Sequence, residues 1–203
     1  MTLVQPVIGR GNVKVGPIPT FSLPSRFTCP GATPWCLEHC YAWRFERIWP
    51  NCRAAYALNL VLSWNTRRFV KVMHRRIPKD LPAMRIHVSG DFYSAPYVTM
   101  WIYIARSSPR TQFWAYTRSW NVPALLPALE RLRALPNFEL FASSDPGMPD
   151  PPSHWRVAYL ETDPRANGLP CPHQYGGASS CHECRYCLRP YARQRSRMQR
   201  NLS

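Results

Sequence analysis

The stretch MRIHVSGDFYSAPYVTMWIYIARSS, residues 84–108, decides the fold. Its first part, MRIHVSGDF (84–92), reads as a short buried strand ending in a turn. From residue 95 to 108 apolar residues recur at helical spacing. A strand that passes at once into a helix is half of a βαβ unit, and the pattern repeats downstream. TQFWAYTRSW (111–120) is strand-like and rich in aromatics. NVPALLPALERLRALP (121–136) carries an apolar helical stripe with Asn121 placed to cap it. NFELFASSD (137–145) and HWRVAYLET (154–162) read as two more strands. Upstream, PTFSLP (19–24) fits a first strand, and RAAYALNLVLSWNTRRFVKVM (53–73) reads as one long amphipathic helix. The proline-rich DPGMPDPPS (145–153) is a loop where an ordinary helix has been lost. Strands alternating with helices predict an α/β fold with a parallel sheet, either a compact partial (β/α) barrel or an open sheet. The expected organisation is a core over residues 1–163, with a Cys-rich segment and basic tail over 164–203 packed on it.

Parallel α/β folds bind ligands at the carboxyl ends of their strands. The polar residues there are Ser89, Gly90 and Asp91, then Thr117 and Arg118, then Ser143, Ser144 and Asp145. Strands must end in something polar, and Gly90 serves a turn as readily as a ligand. Three consecutive strands ending this way point to a cofactor site.

The chain has 203 residues, 45% of them hydrophobic and 13% aromatic, which is the composition of a folded protein. No apolar run is long enough to span a membrane, and the start lacks a signal-peptide pattern, so a cytoplasmic protein is expected. The net charge of +15 makes nucleic acid the default partner. That charge concentrates in NTRRFVKVMHRR (65–76) and in RPYARQRSRMQR (189–200), where Arg193, Arg195, Arg197 and Arg200 are the candidate phosphate contacts.

Eight cysteines fall into two sets. Cys29, Cys36 and Cys40 form C-x6-C-x3-C, with Cys52 trailing; Cys171, Cys181, Cys184 and Cys187 form C-x9-C-x2-C-x2-C. Tight spacings without a secretion signal point to metal rather than to disulfides. The compact C-x2-C-x2-C run favours an iron–sulfur core, with tetrahedral zinc as the alternative metal. Three thiols in the first set would leave one iron open for a substrate or cofactor. Cys52 either closes that site or is a buried thiol. The two sets hold two [4Fe–4S] clusters or converge on one.

A first strand, a three-cysteine loop, a helix, and a strand ending in Gly90-Asp91 resemble a radical S-adenosylmethionine enzyme. In that family three cysteines after the first strand ligate a [4Fe–4S] cluster whose fourth iron binds S-adenosylmethionine. A Gly-Gly-Glu stretch after the second strand contacts that cofactor. The family spacing is C-x3-C-x2-C, with an aromatic residue before the last cysteine; here it is C-x6-C-x3-C, with Tyr41 after it. TFSLPSRFTCPG, CLEHCYA, HVSGDFYS, FWAYTRSW and CHECRYC more closely resemble the phage gene product 88 family, which supplies no established activity. Together the resemblances imply a truncated radical-SAM-like core with iron–sulfur clusters, S-adenosylmethionine as cofactor and an electron donor as partner. The alternative is a non-enzymatic iron–sulfur or zinc protein that binds nucleic acid.

Overall fold

A computed structural model of the chain describes residues 5–189; Arg193, Arg195, Arg197 and Arg200 lie outside the described residues. Five strands, β1 (Thr20–Phe21), β2 (Ala83–Ile86), β3 (Gln112–Thr117), β4 (Phe138–Ser144) and β5 (Arg156–Tyr159), pair in chain order, every pair parallel. Sequential parallel order means that each crossover turns the same way, so right-handed connections put the helices on one face. This is the winding of a (β/α) barrel, but among the described residues β1 and β5 do not pair. The sheet is open.

The helices follow from local chemistry. After β1 come α1 (Pro34–Glu38), α2 (Tyr41–Ile48), α3 (Pro50–Ser63) and α4 (Thr66–Arg76). The single helix expected over 53–73 is therefore two. Asn65 accepts a hydrogen bond from the Arg68 N–H at 3.0 Å and caps α4, and this competes with continuation through Trp64. Ser94 caps α5 (Ala95–Ser107) by accepting from the Tyr97 N–H. Asn121 is not a cap: it ends a 3-10 turn (Ser119–Asn121), and α6 (Leu126–Arg133) starts only beyond Pro123. A proline disfavours helical geometry in the residue before it, here Val122. A short α7 (Cys181–Cys184) and a 3-10 turn (Tyr186–Leu188) end the described chain.

Strand alternation sorts the side chains onto two faces. Met84, Ile86, Phe113, Ala115, Phe138, Leu140 and Ala142 face the helices and pack with Trp101, Ile104 and Leu129 in the main core. Arg85, Trp114, Tyr116 and Phe141 face the other way: Arg85 lies over the Trp114 and Tyr116 rings, and Tyr116 stacks on Phe141. That second face is covered by Val15 and Ile18 from the amino-terminal segment and by Leu188, with Cys181 and Cys187 packed beside them.

Candidate functional site

The three-cysteine loop leaves β1 and lies on the carboxyl edge of the sheet. Four tethers hold it there. Ser25 N–H donates to Glu46 Oε1 (2.9 Å), and Ser89 Oγ donates to the same oxygen (2.6 Å). Thr28 Oγ1 donates to Pro24 O and accepts from Asp91 N–H. Gly31 packs on the Arg118 carbonyl so closely that a Cβ there would sit 2.1 Å from its oxygen. Thr33 Oγ1 donates to Asp145 Oδ2 (2.7 Å) while capping α1.

Strand-end residues form the floor. Gly90 has φ +77°, and a Cβ would meet Thr28 Oγ1 at 2.6 Å and Leu23 Cβ at 2.7 Å. Asp91 is buried and accepts from Thr117 Oγ1 (2.6 Å), Arg118 N–H (2.8 Å) and Phe92 N–H (2.7 Å). Burial outweighs these donors and pushes its carboxyl up to about 6. Arg118 forms an ion pair with the buried Asp145. Ser143 contributes its backbone, whose carbonyl accepts from Trp120 Nε1.

Cys29, Cys36 and Cys40 lie above this floor, near enough to influence one another's charge. Burial drives the Cys29 thiol up to about 12, with further contributions from Asp91, Cys36 and Cys40. Burial also raises Cys36, which Arg118 opposes. Cys40 is the N-cap of α2, its sulfur accepting from Trp43 N–H at 3.4 Å. Cys52 stands apart, in the first turn of α3 beside Tyr56.

In the second set, Cys181 and Cys187 pack on the sheet face opposite the helices, with Cys171 near enough to act on both; Cys184 closes the short helix α7. Tyr116 donates to Cys187 Sγ at 2.8 Å, and Cys181 N–H donates to Lys14 O. Burial raises the Cys181 and Cys187 thiols, Cys171 adds to both, and Arg85 opposes both. The buried Nε of Arg85 has no hydrogen-bond partner, and Arg85 makes no ion pair among the described residues. A cation left without a carboxylate beside two thiols fits an anionic thiolate centre. Asp91, Arg118 and Asp145 act on the first set and Arg85, Lys14 and Arg156 on the second, while Tyr41, next to Cys40, feels Arg85 as well as Cys36 and Cys40. All eight cysteines are free thiols. Among the described residues no group of three or more His, Cys, Asp or Glu side chains is arranged to hold a metal ion.

The gene product 88 family model matches residues 7–184, which includes both cysteine sets except Cys187. This chain belongs to the gene product 88 family. It is similar to the gene 88 protein of Mycobacterium phage L5, 36% identical over 151 residues, covering 67% of this chain and 61% of that protein. It is also similar to the gene 88 protein of Mycobacterium phage D29, 34% identical over 155 residues, covering 67% of this chain and 60% of that one. The chain thus spans about three-fifths of the gene 88 proteins it matches. No solved structure matches, and among the described residues no helix is long and apolar enough to cross a membrane.

Several members of the site carry no signal in the sequence. Glu46 is an acid in an arginine-rich helix, and nothing local says that it turns inward. Tyr116 and Arg85 sit mid-strand, where alternation alone hints that they share a face with Trp114. Thr33 had a signal: a threonine just before Pro34 is a helix start.

Proposed function

We propose that this gene product 88 protein is an iron–sulfur protein of the radical-SAM-like kind that acts on nucleic acid. The observation that carries the reading is the position of Cys29, Cys36 and Cys40. They occupy the loop after β1, over the carboxyl edge of a sequentially ordered parallel sheet, against Gly90 and Asp91 of the next strand. In this reading Cys29, Cys36 and Cys40 hold a reactive [4Fe–4S] cluster. Cys171, Cys181, Cys184 and Cys187 hold a second, structural or electron-relaying one. Thiols that burial keeps protonated are held as thiolates once iron replaces the proton. Ser89, Gly90, Asp91, Thr117, Arg118 and Ser143 are the candidates to line a S-adenosylmethionine site. A cluster held by Cys29, Cys36 and Cys40 would supply one-electron chemistry toward S-adenosylmethionine, given an external electron donor. Arg118 neutralises charge beside Cys36, and Asp91 fixes the strand-end backbone beneath it.

A second reading has its own support. Arg85 and Tyr116 fit a thiolate centre at the second set alone, and the first set's wider spacing departs from the radical pattern. That reading is a non-enzymatic iron–sulfur or zinc protein that binds nucleic acid.

Anaerobic purification tests both. The radical-SAM-like reading expects brown protein absorbing broadly near about 400 nm, about eight iron and eight sulfide per chain, and 5′-deoxyadenosine on reduction with S-adenosylmethionine. About four iron and no 5′-deoxyadenosine supports the second reading. Colourless protein with stoichiometric zinc, after growth with ample iron, overturns the iron assignment. Cys184→Ala is expected to cost solubility, and Cys36→Ala to bleach the first cluster with less damage to the fold. Both variants staying folded and fully loaded would remove both residues as ligands.

A further inference from the structure

Helix α2 is built inside out. Its buried residues are Ala42 and Glu46, the latter tied inward to Ser25 and Ser89. Its outer face carries Phe45 and Ile48, exposed to 59% and 67%, and Trp49 follows at 55%; Tyr41 precedes them, its ring edge exposed but its hydroxyl turned inward to donate to Val88 O at 2.6 Å. Arg44 and Arg47 lie beside this stripe, both exposed and neither paired with a described residue. A surface helix normally puts its apolar stripe against the core and its charges in water. Here the core takes the acid, and water receives three large apolar side chains per two turns. Such an exposed patch marks a binding surface.

Charge selects the occupant. The helix's one acid is buried, its exposed charges are both arginines, and the whole chain carries +15. A ligand matching an apolar stripe with a cationic stripe alongside is a polyanion that presents flat apolar faces, and unpaired nucleotides are of that chemistry. A duplex keeps its base faces stacked within and offers only phosphates. The other basic helix, α4, has Arg67, Arg68, Lys71, Arg75 and Arg76 outward but buries its own aromatic residue, Phe69; the exposed rings near it, Trp64 and Tyr103, lie outside that helix, whereas α2 carries charge and ring on one face. The location is also apt: Cys40 caps the amino end of α2, so a strand laid along this helix reaches the three-cysteine loop.

We infer that the outer face of α2 binds single-stranded nucleic acid, with bases stacked on Phe45 and Trp49 and phosphates held by Arg44 and Arg47. This rests on the nucleic-acid partner proposed above and assigns it a site and a strandedness.

The test is fluorescence anisotropy of full-length protein with fluorescein-labelled oligo(dT) and oligo(U), and with a duplex of equal length, across a salt series. Wild type is expected to bind single strands more tightly than duplex. Phe45→Ala with Trp49→Ala should weaken single-strand binding by about tenfold or more, as loss of base stacking does, and leave duplex binding nearly unchanged. Arg44→Ala with Arg47→Ala should lower the slope of log affinity against log salt by about 1.4, two phosphate contacts' worth. These side chains face solvent, so thermal melts should match wild type and confirm that lost binding is not lost folding. Both double variants binding like wild type would overturn the α2 site. If deletion of residues 189–203 then abolished binding, nucleic acid would stand as partner and α2 would not be its site. A dimer that dissociates in Phe45→Ala, with oligonucleotide binding intact, would reassign the face to self-association. No binding by wild type at low salt would overturn the site and the nucleic-acid partner together.

Discussion

Gly90 joins the sheet to the cysteine loop. With φ at +77° it sits where side chains are strained, and Leu23 and Thr28 close over the space a Cβ needs. Gly90→Ala is therefore expected to cost about 3 kcal/mol, combining a strained dihedral with an overpacked contact. Urea denaturation measures it, and a loss under 1 kcal/mol would show that the loop simply moves aside. Three residues earlier, His87 shows how the same turn responds to acid. It is buried, has φ +59°, contacts the Phe92 ring at 4.5 Å, and bonds Tyr97 Oη through Nε2 at 2.9 Å. Burial lowers its pKa from 6.5 to about 3, with Arg85 adding to the effect. The unfolded chain thus binds this proton between pH 6.5 and 3 while the folded chain does not. The stability His87 contributes is complete above pH 6.5 and falls on acidification by about 1.4 kcal/mol per unit. His87→Asn keeps a residue tolerant of positive φ and removes the titration. The variant should be about 2 kcal/mol less stable at pH 7, with the gap closing at about pH 5 and reversing below it. Parallel stability curves for the two proteins would contradict this origin of acid sensitivity.

At the scale of elements, α1 is the weakest piece that carries a candidate ligand. It has five residues, none buried, and is held by the Thr33 cap and its bond to Asp145. Thr33→Ala should cost about 1 kcal/mol as a lost N-cap. In metal-free protein it should also speed iodoacetamide labelling of Cys36 several-fold, with Cys52 unchanged as internal control. Equal Cys36 rates, read by mass spectrometry, would mean that the loop is held elsewhere. The sequence shows α5 by its periodicity, because an apolar stripe is a local pattern. It shows the strands as well, since β2, β3 and β4 are buried on both faces and read as short apolar runs. It conceals the break at Trp64–Asn65, where a side-chain cap overrides continuous periodicity, and the delayed start of α6 beyond Pro123. The cysteine sets and the strand-end polar residues are legible because their identities and spacings carry the signal. Glu46, Tyr116 and Arg85 are not, because partners 43 residues away (Ser89) and 71 residues away (Cys187) decide what they do.

For the whole molecule, the open sheet leaves one face without crossover helices, and the first and last segments of the described residues cover it. Trp114 is fully buried on that face although no crossover helix reaches it. Its cover is Val15 and Ile18 on one side and Leu188 on the other, and Arg156 ties the closing turn down by donating to Arg189 O (2.9 Å). Cys181 N–H donates to Lys14 O, so the two covering segments are also bonded to each other. The second cysteine set is therefore part of a lid over aromatic surface, and its packing and its proposed ligation can be separated by experiment. A chain ending after Asp163 loses both functions. It should bind 8-anilinonaphthalene-1-sulfonate and aggregate, because Trp114, Tyr116 and Phe141 then meet water. Leu188→Ala loses packing alone. It should lower stability by about 2 kcal/mol and leave the iron content of the full chain unchanged. If Leu188→Ala emptied the centre of iron while stability held, the segment would be kept in place by its metal, and the apolar cover would be a consequence of ligation.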